Sequence, residues 1–156
     1  MAVVKHNDNG NEGFMSKELS PKWQARFALY DSVGGNVTSP EYQRKLKEMK
    51  FFARLKYVMN FYAFFFGIIY FCILGLWKKG LVLFVVICAI NLILGMIEYS
   101  NGVNLDAWAR GVNVAYACAC GSLANYSYYL KEVKGIQSWN PLEGLTKASA
   151  ARIAQR

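Results

Sequence analysis

Two uncharged, aromatic-rich runs, Tyr57–Trp77 and Gly80–Ile97, lie in the middle of the chain with Lys78 and Lys79 alone between them. As helices rising about 1.5 Å per residue they would measure roughly 31 Å and 27 Å, about the thickness of a bilayer's hydrocarbon core. They predict a helical hairpin in a membrane. Composition bears on this through its distribution. The chain of 156 residues is 54% hydrophobic with a formal net charge of +8, its apolar residues central and its charges at both ends. A basic balance also suits nucleic-acid binding. Here the basic cluster abuts the apolar run, which favours anionic lipid contact and topology signalling. No nucleic-acid partner is expected.

Residues 1–19 form a polar stretch without apolar periodicity, expected to be a disordered tail. His6, the one histidine, lies in it and is expected to face solvent. Residues 20–56 are expected to hold cytoplasmic or interfacial helices. Ser20-Pro21 is a helix start, serine capping and proline at the first position, with Gly34-Gly35 as the stop after Val33. Trp23, Phe27 and Tyr30 share one face of that helix, which either packs on the protein or lies on the membrane surface. Ser39-Pro40 repeats the start. The helix after it carries Arg44, Lys45, Lys47, Lys50, Arg54 and Lys56, with Leu46, Met49, Phe52 and Ala53 as an apolar stripe. This is the pattern of an amphipathic helix whose cations reach anionic lipid.

Those six cations against two in the connecting turn place both ends of the hairpin, residues 57–97, in the cytoplasm and the Lys78–Lys79 turn outside. The first helix would serve as an uncleaved insertion signal. With the tip at Lys79, positions of equal depth pair Asn60 with Glu98, Ala63 with Gly95, Gly67 with Asn91, and Tyr70 with Cys88. They step by three or four on each helix and predict one packing seam. Asn91, the deepest polar residue, is expected to bond between helices. Phe61, Phe64, Phe65, Phe66, Tyr70 and Phe71 are expected to face lipid, and Trp77 to form an interfacial belt.

After the break at Ser100–Asn104, residues 105–131 read as a third, weakly apolar helix. Ala107, Gly111, Ala115 and Ala119 make a small-residue ridge suited to close helix contact. Asn113, Ser122, Asn125, Ser127 and four tyrosines make this helix less apolar than the hairpin. It is expected to enter part-way or lie along the inner interface, with a full span as the alternative. Residues 132–156 are a basic C-terminal tail with a weak helix over 142–154.

Cys72, Cys88, Cys118 and Cys120 lie in apolar surroundings without CxxC spacing. They read as buried fillers, not as a disulfide framework or a zinc site. No Gly-rich phosphate loop, GxSxG elbow, HExxH or pair of catalytic carboxylates is present. No enzyme activity, cofactor or metal is expected.

The runs Lys22-Trp23-Gln24-Ala25-Arg26-Phe27, Ser39-Pro40-Glu41-Tyr42, Asn60-Phe61-Tyr62-Ala63-Phe64-Phe65-Phe66-Gly67 and Leu74-Gly75-Leu76-Trp77-Lys78-Lys79-Gly80 carry a resemblance, with Ala124-Asn125-Tyr126 further on. Over about two-thirds of its length the chain resembles a family of small bacterial inner-membrane proteins, domain of unknown function number twenty-six twenty-eight. The resemblance implies a bacterial cytoplasmic-membrane location and two or three helices. It implies no reaction or ligand.

The fold class expected is therefore an all-α membrane protein, a two-helix transmembrane hairpin with amphipathic helices before it and a third helix after it. The function expected is that of a non-enzymatic accessory or self-assembling membrane protein. Its partner surface would be Pro21–Val33 and Pro40–Phe52, and its partners anionic lipids and a membrane protein or further copies of itself. The alternatives are an oligomeric channel or transporter subunit lined by Asn91 and Tyr70, and an immunity protein against a membrane-active toxin.

Overall fold

A computed structural model describes residues 19–154, and among these the chain forms eight helices and no strand. The tail expected over residues 1–19, His6 included, lies almost wholly outside the described residues. α1 (Pro21–Asp31) starts as its Ser20-Pro21 signal requires, with the amides of Trp23 and Gln24 on the Ser20 carbonyl at 2.8 and 3.1 Å. α2 (Pro40–Glu48) is capped by Ser39, whose hydroxyl accepts the Tyr42 amide at 3.2 Å. Extended backbone at Met49 and Lys50 then separates α2 from α3 (Phe51–Val58). The single amphipathic helix expected here is thus two helices with different surroundings. α2 buries Tyr42 and Leu46, whereas Phe51 and Phe52 on α3 are 71% and 76% exposed. Leu46, Met49, Phe52 and Ala53 do not form one stripe.

The run Tyr57–Trp77 does not form one long helix. Met59 closes α3, and Asn60 after it starts α4 (Phe61–Phe66), its Oδ1 accepting the amides of Tyr62 and Ala63 at 3.1 and 3.3 Å. Gly67, at φ +49° and ψ −124°, then divides α4 from α5 (Ile68–Ile73) in backbone that a side chain would strain. Asn60 reaches the Tyr70 hydroxyl at 3.4 Å, and the Tyr62 and Tyr70 rings stack at 5.8 Å. α4 and α5 therefore double back on each other with Gly67 at the apex.

α6 (Trp77–Asn101) and α7 (Asp106–Lys134) are the two long helices. Lys78 and Lys79 lie in the first turn of α6, and Lys79 is fully buried, its Nζ 3.3 Å from Ser127 Oγ. The tip expected at Lys78–Lys79 is corrected accordingly. The chain turns just before them, where Gly75 adopts φ +70°, and the long hairpin reverses over residues 102–105. Gly102, at φ +66°, closes α6 by donating to the Glu98 carbonyl at 2.9 Å, and Asn104 Oδ1 accepts the Asp106 amide at 3.1 Å. Antiparallel register follows from two cross-helix pairs, Lys79 with Ser127 and Asn91 with Asn113. α8 (Lys147–Ala154) is shorter than the helix expected over 142–154.

The second half of α7 is the hub. Cys120, Gly121 and every residue from Leu123 to Leu130 are buried. The face expected on α1 packs there. Trp23 and Phe27 sit 4.6 and 5.8 Å from the Tyr128 ring, and Tyr30 lies 5.4 Å from Tyr126 and 5.1 Å from Tyr129. Tyr129 donates to Asp31 Oδ1 at 2.6 Å and Tyr126 to the Gly35 carbonyl at 2.7 Å. α1 and α2 thus turn their apolar faces to the core and not outward.

α6 faces the other way. It is the one helix among the described residues long and apolar enough to cross a membrane, and 11% of its most apolar window is buried. Of the cysteines expected as buried fillers, Cys120 is buried while Cys72, Cys88 and Cys118 are exposed, because their helix faces point away from the hub.

Candidate functional site

A set of connected buried polar groups lies where α3 passes into α4, beside α7. Asn60 is buried with every polar atom partnered. Its amide donates to the Gly121 carbonyl at 2.8 Å, and its carbonyl accepts the Phe64 amide at 2.9 Å. Its Oδ1 caps α4, and its Nδ2 donates to Asn125 Oδ1 at 3.0 Å. Asn125 Nδ2 in turn donates to the Tyr57 carbonyl at 3.0 Å. The network answers the one hydrogen-bonding demand that a helix break makes inside apolar surroundings. It holds no nucleophile beside a base.

The other end of the α4–α5 hairpin is tied to the same half of α7 and to the segment just after it. Lys131 Nζ donates to the Leu74 carbonyl at 2.9 Å, and Gln137 Nε2 to the Gly75 carbonyl at 2.5 Å. At the apex, a Cβ added to Gly67 would lie 3.1 Å from the Tyr116 hydroxyl. Around that apex runs a groove of about 480 Å³ between α4–α5, α6 and α7. Its polar lining is Cys88, Asn91, Asn113 and Tyr116. Asn91 Oδ1 accepts from Asn113 Nδ2 at 3.3 Å, and each amide also donates to the carbonyl four residues earlier, on Ile87 and Ala109. Among the described residues no group of three or more His, Cys, Asp or Glu is placed to hold a metal.

The expected seam residues are distributed as follows. Asn60 and Ala63 are buried, and Asn60 is partnered by Asn125 and not by Glu98, which lies one turn before the Gly102 reversal. Gly67 and Asn91 line the one groove, with Cys88. Tyr70 lies against Tyr62 and Asn60. Gly95 has open space about it. Of the six expected lipid-facing cations, Arg44 pairs with Glu48 at 3.8 Å and Lys45 donates to Ser32 Oγ at 2.7 Å. Lys47, Lys50, Arg54 and Lys56 are exposed.

A family model described as protein of unknown function (DUF2628) matches residues 13–134. The chain belongs to this family. Members named uncharacterized protein YigF are similar to it. The one from Salmonella typhimurium is 38% identical over 125 residues, covering 78% of this chain and 91% of that protein. The one from Escherichia coli K12 is 37% identical over 135 residues, covering 81% and 99%. No solved structure matches. The family match ends at the last residue of α7 and takes in the Asn60–Asn125 and Lys131–Leu74 bonds but not Gln137.

Asn125, Ser127 and the partnership of Asn91 with Asn113 are not expected from the sequence. One signal was present for Asn125. An amide in an uncharged helical run needs a partner, and Asn60, Asn91 and Asn113 are the other amides in such runs.

Proposed function

We propose that this family member is a non-enzymatic integral protein of the bacterial inner membrane, acting through helix contacts as an accessory or self-assembling subunit. One observation carries the reading. α6 turns Leu81, Phe84, Val85, Val86, Ile90, Leu92, Ile93, Met96 and Ile97 outward, with exposed Trp77 at one end and Tyr99 at the other. Tyr99 lies 22 positions after Trp77, roughly 33 Å along a helix, which matches a hydrocarbon core with its interfacial belts. An outward apolar surface of that length is costly in water.

In this reading α6 and α7 cross as an antiparallel pair with residues 102–105 outside. Lys78, Lys131 and Lys134 gather at the α1 end, beside the basic α2 and α3, while Glu98, Asp106 and Arg110 lie near the reversal. The cation excess supports a cytoplasmic N-terminal region. α4–α5 enters and leaves on the cytoplasmic side as a re-entrant hairpin, buried on its inner side by α7.

Two measurements test the reading. In a chain freed of its native cysteines, Asn104→Cys reacts with an impermeant maleimide in intact cells, and Gln137→Cys reacts after lysis alone. The reverse pattern overturns the topology. Crosslinking in native membranes recovers either a stable second protein or further copies of this chain. A monomeric, water-soluble chain without neighbours overturns the function.

A further inference from the structure

The described residues leave the aromatic pair at the start of α3 exposed. Phe51 and Phe52 are 71% and 76% exposed, with their rings in edge contact at 5.6 Å. Among the described residues the pair serves no packing purpose, since the apolar sides of α1 and α2 already cover the hub. Their neighbours are cationic. Lys47, Lys50 and Arg54 are exposed, and among the described residues none of the three takes part in an ion pair. Glu48, the acid within this stretch, is opposed by Arg44.

Position adds a second, independent constraint. The C-terminal end of α3 is fixed, because the Tyr57 carbonyl accepts from Asn125 Nδ2 and the Lys56 carbonyl accepts from Arg26 at 2.9 Å. Two residues after α3, the chain enters the α4–α5 hairpin at Asn60. Phe52 is eight residues before that entry, within about 12 Å along a helix axis. From there the exposed aromatic surface continues through Phe61, Tyr62 and Phe65 of α4.

We propose that Phe51 and Phe52 form a wedge that inserts into the anionic cytoplasmic leaflet, with Lys47, Lys50 and Arg54 seated on its phosphates. This rests on the membrane reading above and adds to it a specific lipid-contacting element. The physical division of labour is a familiar one. Aromatic side chains supply the apolar insertion, and the cations around them are drawn to a negative surface within about a Debye length. Of the six cations preceding the membrane entry, the geometry assigns Lys47, Lys50 and Arg54, each within four residues of Phe51, to lipid at the wedge, whereas Arg44 pairs with Glu48 and Lys45 bonds Ser32.

The test uses the full chain with Cys72, Cys88 and Cys118 changed to Ser and Cys120 to Ala, carrying a nitroxide at Phe52→Cys or, as a control, at Ile90→Cys. It is reconstituted in vesicles of phosphatidylcholine alone or mixed with phosphatidylglycerol. The expected result is a Phe52 label open to oxygen and shielded from an aqueous nickel chelate in the mixed vesicles. That shielding drops at least severalfold when Lys47, Lys50 and Arg54 are changed to Gln, and in the neutral vesicles. A water-exposed Phe52 label beside a lipid-buried Ile90 label overturns the wedge and leaves the membrane reading standing. Water exposure at both overturns both. Equal shielding in the two vesicle types overturns the assignment to anionic lipid. A label shielded in native membranes but wet in vesicles assigns the patch to a protein and likewise overturns the proposal.

Discussion

The Asn60–Asn125 pair is the perturbation with the most to report. Asn60→Ala removes two things at once. It takes the cap from α4, where Oδ1 accepts two amides, a loss of about 1 kcal/mol. It also leaves the buried Oδ1 of Asn125 without its donor at 3.0 Å, at about 1–3 kcal/mol. Helix-to-helix hydrogen bonds in a membrane average nearer 0.6 kcal/mol, which favours the lower end. The expected total is about 2 kcal/mol. Asn60→Ser separates the terms, since serine keeps a capping oxygen and cannot reach as Nδ2 does. Its loss should be about half that of alanine. Combining Asn60→Ala with Asn125→Ala should cost less than the two singles summed, by about 0.6–1.7 kcal/mol. The assay is reversible unfolding of the detergent-solubilised protein with SDS, followed by circular dichroism. Strict additivity of the two alanines, or an Asn60→Ala loss below about 0.3 kcal/mol, would refute the pairing.

Gly67→Ala is expected to destabilise by about 1–3 kcal/mol in the same assay, because φ +49° with ψ −124° suits glycine alone. Tyr116→Phe, which removes the nearby hydroxyl, should not restore the loss. Lys79→Met should be neutral or stabilising. This ammonium is fully buried, and among the described residues its one hydrogen bond is to Ser127 and no carboxylate lies within ion-pair distance. A loss of more than about 1 kcal/mol would show that the charge has a role of its own. Tyr30 and Tyr42 face each other at 6.1 Å between α1 and α2. Burial raises both phenols above their ordinary value of 10.0. A raised folded pKa favours the protonated fold, so their contribution is fully present below pH 10 and falls as pH rises beyond it. Phenolate absorbance of the native protein should therefore lag that of Tyr30→Phe, Tyr42→Phe controls and appear together with loss of α1–α2 structure.

How much of this was legible in the chain depends on which rule governed each segment. The starts at Ser20-Pro21 and Ser39-Pro40 and the stop at Gly34-Gly35 were legible because capping is local chemistry. The Trp23–Phe27–Tyr30 face was legible because helical spacing fixes it, though its partners on α7 were not. Counting uncharged residues failed over Tyr57–Trp77. A run of 21 residues without charge admits one long helix or two short ones folded back, and hydropathy does not distinguish them. The signals that do are Asn60, a capping residue, and the glycines at 67 and 75 with positive φ. The tip was misplaced at Lys78–Lys79 because two adjacent lysines look like a wet turn. Lys79 is instead taken into the protein beside Ser127, and the polar break at 100–104 supplies the reversal. The hub on α7 was obscured by its own tyrosines, whose hydroxyls made it look half-solvated. Two of those hydroxyls are spent on Asp31 and Gly35.

These observations also explain how two helices of six residues persist at all. Each leaves most of its terminal backbone groups outside any helical ladder, and neither could form alone. Their order comes from α7. Gly121, Asn125 and Lys131 lie on it, and each bonds one end of the short hairpin. The absence of a side chain at Gly121 brings α4 close enough for the first of these bonds, since an added Cβ would meet Met59 and Phe64 at 3.3 Å. The same ties fix Tyr57, and through it α3 with its exposed Phe51 and Phe52. A substitution that loosens α7 near Asn125 should therefore release the α4–α5 hairpin and the aromatic pair together. One that acts at the 102–105 reversal should leave both in place.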